Sequence, residues 1–141
     1  MDPILTVRFR GHPNVRATNR MTLEVTREDF LTLRGDCILG IEADSACKDL
    51  NDDARVAICS DSSRLRFVID VEGKSFEFRA CGSSLLTLTH PLSMVIRRST
   101  YCCSRTLAVK STAAAFDVPR PMVAMLASGS SGELRAYLVP S

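Results

Sequence analysis

The residues best suited to chemistry are two histidines, each followed by proline and framed by polar side chains. One lies in Gly11-His12-Pro13-Asn14-Val15-Arg16-Ala17-Thr18, the other in Leu88-Thr89-His90-Pro91. They are the only histidines among 141 residues, and imidazole is the side chain that changes charge most readily near neutral pH. Glycine before His12 and proline after it restrain the backbone and can hold the ring at a loop tip. Arg16 and Thr18 share one face of an extended segment by their even spacing. A forked guanidinium and a hydroxyl are donors that suit an oxyanion. The plainer use of the same residues is an Asx-type turn, with His12 and Asn14 satisfying loose backbone groups. For His90 the plainer use is a tight turn between two strands, with Thr87 and Thr89 on one face.

Two further segments bear on the same chemistry. In Arg34-Gly35-Asp36-Cys37, Asp36 can orient a histidine or pair with an arginine. Cys37 is a nucleophile if a cation lowers its pKa, and a core thiol otherwise. Arg97-Arg98-Ser99-Thr100 and Ser104-Arg105-Thr106 bracket Tyr101-Cys102-Cys103. Alternation puts one of Arg97 and Arg98 on a given face. Arg97 with Arg105 is the candidate phosphate clamp, against the competing reading of a charge-blunted strand edge. Phosphate-cradling and dinucleotide-binding glycine motifs are absent, and neither histidines nor cysteines have a zinc spacing. No metal and no cofactor is expected.

Charge is unevenly distributed, although the net charge is only +2. After Gly35 come Asp36, Glu42, Asp44, Asp49, Asp52 and Asp53 against Lys48 alone. From Arg79 to Phe116 no acidic residue occurs, while Arg79, Arg97, Arg98, Arg105 and Lys110 do. Gathered on one face, that stretch makes a positive potential for phosphate or carboxylate. The alternative is that these cations neutralise the acidic block. Absence of tryptophan and scarcity of aromatics argue against an extensive stacking surface for single-stranded nucleic acid.

Six cysteines occur, none in a C-x-x-C pair and two adjacent, at Cys102 and Cys103. The first residues lack the basic and apolar regions of a secretory signal, and no stretch suits a membrane span. Reduced thiols, mostly small core residues, in a cytoplasmic protein without membrane association are therefore expected.

The elements that must position these groups are mainly strands. Two-residue alternation marks 4–9, 21–25 and 64–71, with Phe76 and Phe78 continuing after Gly73. Residues 64–80 read as a hairpin turning at Glu72-Gly73-Lys74. Further strands are expected at 13–19, 37–43, 55–59, 85–89, 92–98, 105–111 and 133–139. Helix is confined to a capping-box-like turn at Thr26, a turn over Ser45–Leu50, and Thr112–Leu126, which Pro119 and Pro121 must divide. No internal repeat is evident, and residues 1–141 read as one domain. Many short strands with few helices favour an antiparallel β-sandwich or barrel.

Several segments together resemble a mainly archaeal family, the domain of unknown function numbered 371. They are Gly11–Thr18, Thr22-Leu23-Glu24, Leu31-Thr32, Arg34–Ile38, Leu86–Pro91, Met94–Arg97 and Arg105-Thr106-Leu107. The resemblance implies a jelly-roll-like β-sandwich and a shared surface formed by these polar segments, but no function. This chain departs from the family pattern at Asn19, where histidine is usual, and at Leu33, usually proline. It departs again at Ser104, usually acidic, and near Ala113, usually lysine.

Three functional readings follow. In the favoured one, His12, Asn14, Arg16, Thr18, Asp36, Thr89, His90, Arg97 and Arg105 line a pocket for a phosphate-bearing ligand, either RNA or a small phosphorylated metabolite. In the second, the chain is a small hydrolase or transferase with His12 and His90 as general acid and base. In the third, it is a scaffold for a protein partner. Whether it is an enzyme, and its oligomeric state, are left open by the residues alone.

Overall fold

A computed structural model describes residues 1–140. It contains eight strands: β1 (Leu5–Arg10), β2 (Thr22–Thr26), β3 (Ile38–Gly40), β4 (Arg64–Val71), β5 (Lys74–Cys81), β6 (Ser93–Arg97), β7 (Thr106–Ala108) and β8 (Ser131–Leu138). Two helices, α1 (Asp52–Ile58) and α2 (Arg120–Ala127), each follow a single 3-10 turn, at Cys47–Asp49 and Ala115–Asp117. The protein is thus mainly β. Among the described residues no helix is long and apolar enough to cross a membrane.

The strands form two sheets, ordered β1-β8-β4-β5 and β3-β2-β6-β7. The first is antiparallel throughout. In the second, β2 and β6 are antiparallel, while β3 runs parallel to β2 and β7 runs parallel to β6. These parallel pairs depart from the antiparallel arrangement expected from the many short strands. A parallel neighbour requires a crossover rather than a tight turn, and the long β2–β3 and β6–β7 connections supply it. Reciprocal backbone bonds join Arg10 to Ile41 and Cys81 to Val109 at 2.8–2.9 Å. Both edges of one sheet are thereby stitched to both edges of the other, and the strands run in a continuous ring.

The interior is built by alternation. Val7 and Phe9, Leu65, Phe67 and Ile69, Phe78 and Ala80, Leu134 and Ala136 project from the first sheet and are buried. Leu23, Val25, Met94, Ile96 and Leu107 meet them from the second. Phe67 stacks on Phe78, directly opposite it across the hairpin, at 5.3 Å between centroids. That hairpin turns as expected, with Glu72 and Gly73 both at positive φ.

Three expected strands are absent. Residues 13–19 and 85–89 are irregular, because Ala17 and Leu88 take left-handed φ values of 49° and 53° that break a ladder. Residues 55–59 belong mostly to α1, whose N-cap Asn51 accepts the Ala54 amide at 2.8 Å. Ala54 and Ile58, four apart, supply its buried face. The turn at Thr26 is not helical. Pro119 and Pro121 do divide the last helical region, leaving the 3-10 turn before them and α2 after.

The structure also contains an internal repeat. The run β1-β2-β3-turn-α1-β4 recurs as β5-β6-β7-turn-α2-β8, and equivalent atoms make equivalent bonds. Asp44 N–H donates to the Arg8 carbonyl as Thr112 N–H does to that of Arg79. Asp49 caps the first 3-10 turn and pairs with Arg27; Asp117 caps the second and pairs with Arg98. Glu24 sits directly across β2–β6 from its own counterpart, Val95, as an approximate two-fold axis through that antiparallel pair requires.

Candidate functional site

The two His-Pro segments occupy non-equivalent places in this repeat. His90 Nδ1 accepts the amides of Leu92 and Ser93, at 3.1 and 3.0 Å, and so caps the entry to β6. At the entry to β2 the same task falls to Asn19, whose Oδ1 accepts the amides of Met21 and Thr22 at 2.9 Å each. The amides of Thr89 and His90 both donate to the Ser104 carbonyl, as those of Thr18 and Asn19 do to Asp36. His90 therefore corresponds to Asn19, and His12 corresponds to Ser83. His12 Nδ1 accepts the Asn14 amide at 3.0 Å, while Asn14 Nδ2 donates to the Leu31 carbonyl at 2.8 Å. Acceptance at Nδ1 leaves the proton of each neutral ring on Nε2.

The expected site residues separate into two groups. Asn19 and Asp36 are joined side chain to side chain at 3.1 Å, with Thr18 beside them. Arg97 is their neighbour, because it lies directly opposite Thr22 on β6. His12, Asn14 and Arg16 are on the loop that leads into this group. Thr89, His90 and Arg105 gather at the other end, where β6 begins opposite Thr26. The rows Thr22–Arg97 and Thr26–Ser93 are four strand residues, roughly 13 Å, apart. One ligand atom does not span both groups.

The Asn19 end carries a concentration of arginine and aromatic side chains. The Phe116 amide donates to the Asn19 carbonyl, which fixes the second 3-10 turn against this loop. The Arg20 guanidinium lies 4.4 Å from the Phe116 ring centroid, and Arg120 approaches the same ring at 5.9 Å. Arg120 also donates to the Arg16 carbonyl at 3.3 Å and to those of Ala115, Phe116 and Val118. Arg97 donates to Thr106 Oγ1 at 2.9 Å and lies 5.0 Å from the Tyr101 ring. Phe116 and Tyr101 nevertheless remain 46% and 61% exposed. Asp36 and Asp117 are the local counter-charges. The Ala114 amide, then Arg98 and Arg120, hold the Asp117 carboxyl below the usual range.

The cations of the acid-free stretch do not neutralise the acidic block. Among the described residues only Arg98 of that stretch makes an ion pair, and its partner is Asp117. Acidic-block residues Glu42 and Asp49 pair instead with Arg10 and Arg27, at 3.4 and 3.2 Å. The two ends of the repeat have thus diverged in charge. Where one end has Arg120, Phe116 and Arg20, the other has Asp52, Lys48 and Pro91.

The sequence offers Cys37, not Cys103, as the candidate nucleophile and leads one to expect most of the other cysteines in the core. The half-buried thiol of Cys103 lies 3.5 Å from Thr106 Oγ1 and accepts from Arg97 Nη2 at 3.5 Å. Desolvation opposes ionisation, but Thr106, the Arg105 amide and Arg97 outweigh it and draw the thiol down to about 7. Cys37 behaves oppositely: burial, then the carboxylate of Glu24, push it up to about 11. Cys47 is pushed up to about 12, first by burial and then by Cys103. The signal for Cys103 was present in the arginines and threonine around it, but their convergence needs the β6–β7 connection to fold back on itself.

The family model for a domain of unknown function (DUF371) matches residues 7–139. The chain belongs to this family. An uncharacterised protein of Methanocaldococcus jannaschii is 38% identical over 123 residues, which cover 87% of this chain and 90% of the relative. Against the family pattern, the departure at Asn19 has a local account. Asparagine offers the β2 amides the same acceptor that the His90 ring offers those of β6.

Proposed function

We propose that this DUF371 protein binds a phosphate-bearing ligand, single-stranded RNA in particular, at the arginine and aromatic end of its second sheet. The observation that carries the reading is the exposed Phe116 ring, approached by Arg20 and Arg120, with Arg97 and Tyr101 paired at the same end of the sheet. Single-strand binding combines cations that follow the backbone with aromatic faces on which bases stack. Aromatics are few in the chain, but two of them meet three arginines here. Thr18, Arg16 and Arg97 supply further donors, and Asp36 accepts a hydrogen bond from Asn19. The acid–base reading of His12 and His90 gains no such support, since each ring holds its own backbone turn.

Fluorescence anisotropy with a labelled single-stranded RNA of mixed sequence tests the proposal across a salt series. With three or four phosphates contacted, log K should fall against log salt with a slope of about −2 to −3. Arg20→Ala and Phe116→Ala should each weaken binding about five- to tenfold or more while leaving the melting temperature nearly unchanged. Absence of saturable binding at low salt, or indifference to both substitutions, overturns the assignment.

A further inference from the structure

A second cationic site lies on the seam where β5 meets the segment after β7. A cavity of about 210 Å³ is lined there by Arg64, Arg79 and Lys110, over a floor that includes Cys81 and Val139, with Ala80 and Thr112 completing the lining. Lys110 and Cys81 also line an adjoining cavity of about 260 Å³, which adds the Ser83 and Thr100 side of the groove. Among the described residues none of the three cations makes an ion pair. Arg79 moreover stands directly opposite Arg66 across the β4–β5 ladder, a like-charge placement that costs stability unless something neutralises it. Arg66 has its own partner in Glu77, at 2.9 Å.

The internal two-fold shows what this seam looks like when its charges are satisfied. The counterpart of Arg79 is Arg8, which faces Glu133 across β1–β8 and pairs with it at 3.2 Å. The counterparts of Cys81 and Lys110 are Arg10 and Glu42, which pair with one another at 3.4 Å. The second half has exchanged Glu133 for Arg66 and Glu42 for Lys110. It retains the backbone frame: Glu42 and Lys110 share a left-handed φ of 52°. One carboxylate is near, Asp61, but the Ser84 amide and hydroxyl already engage it, at 2.8 and 3.0 Å.

We propose that this seam is a binding site for a small molecule that carries an oxyanion on an apolar body, the anion taken by Arg79 and Lys110 and the body by the floor of Cys81 and Val139. The site is separate from the proposed RNA surface and does not depend on it. Amide-resolved NMR titration with phenyl phosphate, inorganic phosphate and phenol tests the proposal. Phenyl phosphate should shift the Ala80, Cys81, Lys110 and Thr112 amides saturably, about tenfold more tightly than either fragment. The double substitution Cys81→Arg with Lys110→Glu copies the Arg10–Glu42 pair of the other half. It should fold normally and lose at least tenfold in affinity. Should it fail to fold, Arg79→Gln, which leaves the Arg79 amide bond to Thr112 in place, should weaken phenyl phosphate fivefold or more. Arg20→Ala should leave binding unchanged. No saturable shift, shifts centred on Arg20 and Phe116, or full affinity in the seam variants overturns the proposal. Equal affinity for inorganic and phenyl phosphate overturns the role of the apolar floor.

Discussion

Cys103 offers a quantitative test of the electrostatics at the arginine end. A thiol that titrates at about 7 is roughly half ionised at pH 7, whereas one at the ordinary value of 9 is only about 1% ionised. The more acidic thiolate is also the weaker nucleophile, by roughly six- to tenfold for two pKa units at a Brønsted coefficient of 0.4–0.5. Cys103 should therefore alkylate about five to eight times faster than an unperturbed thiol at pH 7. Cys37 and Cys47, pushed up to about 11 and about 12, should scarcely react. Replacing Arg97 by glutamine removes the charge and its bond to Sγ but leaves the Thr106 hydroxyl and the Arg105 amide. The Cys103 titration should then move upward, with a several-fold loss of rate at pH 7 and no loss at pH 10. The assay is timed iodoacetamide labelling from pH 5.5 to 10, quantified by mass spectrometry. Fragment ions must separate Cys103 from Cys102. A half-point near 9 in the parent protein, or an unchanged profile in Arg97→Gln, refutes the reasoning. Linkage gives an independent check. Because the folded Cys103 value is depressed, its contribution to stability is absent below about pH 7 and complete above the unfolded value near 9. Cys37 and Cys47 have the opposite sign, and their contribution is lost as pH rises through 9 toward their folded values. Stability should therefore rise between pH 7 and 9 and decline beyond, and Cys103→Ser should remove the rising limb.

The internal repeat makes two paired predictions. A methyl group on Gly11 would meet the Leu126 carbonyl oxygen at 1.9 Å, and one on Gly82 the Ile58 carbonyl oxygen at 2.3 Å. Both obstacles are backbone, so Gly11→Ala and Gly82→Ala should each cost about 3 kcal/mol and lower the melting temperature by on the order of 10 °C. Calorimetric melting that leaves either variant near the parent value contradicts this packing. Asn19→Ala and His90→Ala should each cost about 1–2 kcal/mol by freeing two strand-entry amides, measured by urea denaturation. Asn19→His should recover most of that loss, since the imidazole already does this work at His90.

Local pattern made much of the secondary structure legible. The 64–80 hairpin, the strands around Leu23, Ile96 and Leu134, and the proline-divided end of the helical region all follow from period, turn residues and breakers. Two of the three missing strands share a cause. Ala17 and Leu88 interrupt apparently strand-like segments because each is turned by amides donating to a distant carbonyl, that of Asp36 or Ser104. The repeat was invisible because its halves share few identities, chiefly Arg8 with Arg79, Gly11 with Gly82, Thr18 with Thr89, Arg27 with Arg98 and Asp49 with Asp117. A longer β2–β3 connection than β6–β7 also shifts their register. Asparagine and histidine, moreover, do one job at equivalent places, and no residue-by-residue comparison of types reveals that.

For the candidate sites the division is sharper. Composition and order along the chain determined that the charges are segregated, that Arg97, Cys103 and Thr106 lie within one short segment, and that both histidines sit beside prolines at candidate turns. Only the tertiary structure decided that His12 and His90 serve separate turns, that Arg20 and Arg120 meet on Phe116, and that Arg79 and Lys110 make no ion pair among the described residues. Electrostatic pairing and ring stacking act over a few ångströms. Which groups come within that distance is decided by how the two halves close into one ring of strands, and that closure is not written in any single segment.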